Sequence, residues 1–97
     1  MSESLRPDVA LGVRLSARIA RDQFTADPRP VIDELLEMAA GHPEVLAREA
    51  GIWAGAHENS EHHRPIASAL AGIPGARQWM ALGRKRAGMG HRTIDPR

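Results

Sequence analysis

Proline placement limits what this chain can fold into more than any other feature. Proline lacks an N–H and fixes φ, so it fits the first turn of a helix and interrupts one almost anywhere else. Pro7, Pro30, Pro43, Pro65 and Pro74 recur so that each opens a segment of helix length. Pro7 is followed by Asp8, an acid in the first turn where it complements the helix dipole. Asp27-Pro28-Arg29-Pro30 reads as a connector, because each proline holds the residue before it extended. From Pro30 the apolar positions 31, 32, 35, 36, 38 and 39 form a wide stripe with Asp33, Glu34 and Glu37 outside it. Gly41 closes that helix and Pro43-Glu44 opens the next. The fold expected is all-α, a single small domain over residues 1–97 of four to five short helices with Pro/Gly connectors. The helices fall near 7–24, 30–40, 43–57, 64–72 and 74–87, with a frayed basic tail over 88–97.

The first of these segments carries a conflicting signal. From Val9 to Ile19 every odd residue is apolar, which is strand periodicity. The run is long for a strand, however, and no second strand pattern follows to take up its amides. A helix with Val9, Val13, Ala17, Ala20 and Phe24 inward fits the same residues and is preferred. A strand there would instead imply dimerisation through it.

Composition narrows the class. A chain of 97 residues buries only about 60–65% of its unfolded surface, so it folds alone with little margin. With one Phe, two Trp and no Tyr, the core must be built from aliphatic and small side chains, and Trp53 and Trp79 are expected to anchor it. The absence of Cys excludes disulfide scaffolds, thiolate metal sites and Cys nucleophiles. The longest stretch free of charge, Pro65 to Ala76, is far short of the roughly 20 residues of a membrane span. The acidic start Met1-Ser2-Glu3-Ser4 leads into no apolar core, so no signal peptide is expected and the location expected is cytoplasmic. Charge is uneven: residues 1–72 carry seven Arg against eleven Asp and Glu, whereas residues 73–97 carry six basic residues against Asp95 alone. A basic C-terminal quarter on an acidic body points to a polyanion, or to an acidic surface on a partner or on the chain itself.

Three constellations could carry chemistry. His57-Glu58-Asn59-Ser60-Glu61-His62-His63 is rich in metal-ligand types, and His57/Glu61 and Glu58/His62 would each share a helix face. The H-E-x-x-H arrangement fails, since its second His place holds Glu61 and His62 lies about 140° from His57 around a helix. His57, Glu58, Glu61 and His62 are therefore only weak metal candidates, and neither metal nor cofactor is expected. Leu46 to Ile52 looks like the first half of a helix-turn-helix with Gly51 at its turn, but His57 and Ser60 occupy the apolar places of its second helix. Ser16, Ser60 and Ser68 have no nucleophile elbow, and no phosphate loop of the G-x-x-x-x-G-K type is present, so no catalysis is expected.

The third constellation is Leu70-Ala71-Gly72-Ile73-Pro74-Gly75-Ala76-Arg77-Gln78-Trp79-Met80-Ala81. It resembles the helix-hairpin-helix family over about a dozen residues, with Leu70, Ile73, Pro74, Gly75 and Ala81 in the matching places and Ala76 in the fourth aliphatic place. The family's second Gly is Arg77 here. The resemblance implies that a helix N-terminus presents amides to a DNA phosphate, with binding that ignores sequence. Gly75, Ala76 and Arg77 would make that contact, and Arg84, Lys85, Arg86 and Arg92 would supply the electrostatics. An exposed Trp79 beside Arg84 and Arg86 would suggest stacking on bases. The function expected is thus sequence-tolerant nucleic-acid binding with a log–log salt slope of about −4. The alternative is a structural or adaptor protein acting through protein contacts or a homo-oligomer.

Overall fold

A computed structural model describes residues 7–94, with side chains described for residues 9–88. Five α-helices follow one another: α1 (Pro7–Arg21), α2 (Arg29–Met38), α3 (Pro43–His57), α4 (Arg64–Ala71) and α5 (Arg77–Ile94). A single 3-10 turn, Glu61–His63, leads into α4, and there is no strand among the described residues. Prolines stand in the first turn of α2, α3 and α4, as their missing donor dictates. Gly41, at φ +93°, makes the left-handed step between α2 and α3.

The residues 9–19 are helical, but the buried face is not the one expected. Leu11, Leu15 and Ile19 are buried, while Val13 and Phe24 are exposed by 60% and 67%. Ala17 and Ala20 are exposed as well. Both stripes have the four-residue spacing of a helix face, so periodicity does not choose between them. Side-chain size does: two Leu and an Ile remove more apolar surface from water than Val and Ala. In α2 the stripe resolves into Val31, Leu35 and Ala39 in the core, with Leu36 half exposed.

α3 is the central element, and α1, α4 and α5 all pack on it. Its buried face is made of Val45, Leu46, Ala47, Ala50, Gly51, Ala54 and Gly55. Gly51 lies in the middle of this unbroken helix, so the helix-turn-helix turn considered there does not exist. Its role is close packing. A Cβ on Gly51 would overlap the carbonyl oxygen of Ala76 and lie 2.7 Å from Trp79 Cβ. A Cβ on Gly55 would overlap the Met80 carbonyl, and one on Gly83 the carbonyl of Ile52. From Gly51–Ala76 through Gly55–Met80 to Glu58–Arg84 the pairings advance together along both helices, so α5 runs alongside α3 in the same sense, backbone against backbone.

The fully buried large side chains are Leu15, Ile19, Leu35, Leu46, Ile66 and Leu70. Neither Trp is among them. Trp53 and Trp79 are half-buried, and Trp53 packs against the edge of the core. α5 passes through Gly88 and remains helical to Ile94, beyond the point where a tail was expected to begin. Residues 95–97, and the side chain of Arg92, lie outside the described residues.

Candidate nucleic-acid interface

The connection between α4 and α5 is a sequence of tight turns pinned from inside. Gly72 N–H donates to Ala69 O and Ile73 N–H to Leu70 O, both at 3.1 Å, closing α4. Ala76 N–H donates to Ile73 O and Trp79 N–H to Ala76 O, both at 2.9 Å, opening α5. Leu70, Ile73 and Ala76 are buried and fix the turn to the core. Pro74 and Gly75 remain exposed. Gly75 has φ +84°, a left-handed conformation that L side chains rarely adopt, and a Cβ there would come within 3.2 Å of Ala47 Cβ.

Arg77 opens α5 from this exposed turn, is itself exposed, and makes no ion pair among the described residues. Lys85 and Arg86 are exposed in the same way, further along the helix. Two of the expected contact residues are engaged elsewhere. Ala76 is fully buried, and its N–H is taken by Ile73 O. Arg84 forms a two-point ion pair with Glu58 at the end of α3, through Nε and through an Nη2 to Oε1 bond of 3.1 Å. That bond raises the Arg84 pKa and holds the Glu58 carboxyl below its usual range. Ala81 is exposed, because α5 turns Met80 and Gly83 towards α3. α4 and α5 each pack chiefly on α3 and little on each other.

The weak metal candidates are not brought together. Glu58 is bound by Arg84, and His57 Nδ1 lies 2.9 Å from Trp53 O. Glu61 and His62 face solvent. Among the described residues, no group of three or more His, Asp or Glu is arranged to hold a metal ion. No helix among them is long and apolar enough to cross a membrane.

What the sequence reading missed is a set of rings at the end of α3. The imidazole of His63 sits 4.9 Å from the Phe24 ring, 4.8 Å from His57 and 5.4 Å from Trp53, and His57 stacks on Trp53 at 3.9 Å. His63 Nε2 lies 2.8 Å from Gln23 Oε1 and Nδ1 2.7 Å from Ser60 Oγ, which the neutral Nε2–H tautomer satisfies. Burial, and then the neighbouring His57 and His62, push the His63 pKa down. The Trp53/His57 spacing of four was a usable signal, but Phe24 and His63 reach the group only through the fold. No protein-family model, curated protein or solved structure matches this chain; its described residues form a small all-α fold of five helices.

Proposed function

We propose that this domain is a non-enzymatic binder of nucleic acid that contacts the phosphate backbone without reading sequence. The observation that carries the reading is Arg77, an exposed guanidinium with no ion pair among the described residues, at the N-terminus of α5 beside the left-handed Gly75 turn. Helix N-termini carry unsatisfied amides and the positive end of the helix dipole, and a guanidinium adds a fork matched to phosphate. Lys85 and Arg86 extend the positive charge about 12–14 Å along the helix. Because Arg84 is held by Glu58, it is not counted among the contacts.

Three phosphate contacts give a log–log salt slope of about −3 on duplex DNA. Arg77→Ala reduces the slope by about one, whereas Arg84→Ala leaves it unchanged. Salt-insensitive affinity, or no binding at low salt, rejects the proposal. A second reading, an adaptor that binds another protein, draws on an apolar cavity of about 190 Å³ between Leu36, Ala39, Pro43, Leu46, Ile73 and Pro74. It predicts a stable complex or homo-oligomer by size-exclusion mass measurement that Leu36→Glu disrupts.

A further inference from the structure

The ring cluster beside α3 has a consequence for which form of nucleic acid is bound. This chain has one Phe and two Trp, and two of those three rings lie in a contiguous cluster with two imidazoles, in which Trp53 and His57 are stacked and the other pairs are tilted or edge-on. Phe24, at its outer end, leaves 67% of its surface in water. On the other side Trp53 and His57 line a cleft of about 280 Å³ between α1, α3 and α5, together with Ser16, Glu49 and Arg86. The one carboxylate in the cleft is already occupied. Glu49 accepts a hydrogen bond from Ser16 Oγ at 2.7 Å and faces the Arg48 guanidinium at 3.5 Å. Arg86 has no ion pair among the described residues, so the cleft's uncompensated charge is positive.

An indole backed by a stacked imidazole, next to a guanidinium with no ion pair among the described residues, matches a nucleobase with its neighbouring phosphate. We infer that this cleft stacks an unpaired base on Trp53, on the indole face away from His57, with Arg86 on the adjoining phosphate, so that the protein prefers single strands to duplex. The inference rests on the phosphate-binding reading above and adds the strand state of the ligand. Duplex bases have both faces covered by their own stack, and only a splayed base can offer a face to a protein ring. Arg86 belongs to both features, on the side of α5 that faces the ring cleft and about 180° round the helix from Arg77. Stacking is sequence-tolerant, since every base has a π-face, and so agrees with binding that ignores sequence.

The test uses the full chain carrying Trp79→Phe, which leaves Trp53 as the only indole. It is titrated at low salt with an oligo-dT strand and with a duplex of the same length. The expected result is binding of the single strand about tenfold tighter, with Trp53 emission quenched by the strand and not by the duplex. Trp53→Leu in the natural background, followed by anisotropy of labelled DNA, removes most of that preference. Phe24→Ala, whose exposed ring lies outside the core, lowers single-strand affinity by a smaller factor and leaves the duplex affinity in place, which separates loss of stacking from loss of folding. Equal affinity for the two forms with Trp53 unquenched overturns the inference and leaves the backbone reading standing. Failure of both ligands to bind overturns the two together.

Discussion

Along one seam of this protein two helices touch through their backbones, while along another edge two helices meet through long side chains. Gly51 and Gly55 on α3 and Gly83 on α5 leave no space for even one methyl group. α1 and α2 contribute Leu15, Ile19, Val31 and Leu35 to the common core and are tied across the edge by Arg18. Arg18 reaches Asp22, just past the end of its own helix, and Glu34 of α2, the latter at 2.8 Å. Its pKa is raised by those bonds, and Glu34 is drawn below the usual carboxylate range by the hydrogen bond from Arg18. The contrast shows how a chain poor in aromatics manages its packing. Where side chains are absent, contact comes from backbone proximity and tolerates no added volume. Where they are long, contact is adjustable, and part of it is electrostatic.

The sharpest break in this contrast is a methyl placed in the seam. Gly55→Ala forces α3 away from the Met80 backbone and is expected to cost about 3 kcal/mol, lowering Tm by more than about 10 °C in thermal unfolding. Gly88→Ala, in the same α5 where a Cβ meets open space, should leave Tm unchanged or raise it slightly, since Ala is the better helix former. If both substitutions behave alike, the seam is not backbone-tight.

A smaller effect is expected along the other edge. Arg18→Met keeps the aliphatic stem but removes both ion pairs, and it should lower Tm by much less than Gly55→Ala. The difference from the unaltered protein should shrink in 1 M salt, where the screening length is about 3 Å. A loss that is the same at every salt concentration would mean that Arg18 acts by packing alone.

The mildest effect is the response to pH, which compares the ring cluster with the charged edge. His63 has a depressed pKa in the folded state, so the unfolded chain takes up its proton first as pH falls. Its contribution is complete above the ordinary value of 6.5 and is lost as pH drops through that value towards the folded one. Glu34 and Glu58, also depressed, lose their contributions only below the ordinary value of 4.5. Denaturant midpoints measured from pH 8 to pH 4 should therefore show a first decline that His63→Gln abolishes, and a later one that it does not. A midpoint flat between pH 7 and 5.5 would contradict the burial of His63.

The parts legible in the sequence were those that depend on a residue's own covalent geometry. Pro30, Pro43 and Pro65 mark helix starts because a missing N–H is harmless only in a first turn, and the helices begin there. The engagement of Arg84 was not legible, because Glu58 lies 26 residues away and nothing local connects them. Gly51 lies inside a helix, as preferred over a turn, but the service of its glycine character to a neighbouring helix was not legible for a related reason.

The sequence alone thus determined that the chain is helical, where most of its helices begin, and that its core must be aliphatic. Only the tertiary structure decided which stripe of α1 faces inward, which cations stay free, and that Phe24, Trp53, His57 and His63 share one surface. The physical reason is range. Backbone restrictions act within a turn, whereas burial and charge pairing depend on what the rest of the chain brings within a few ångströms.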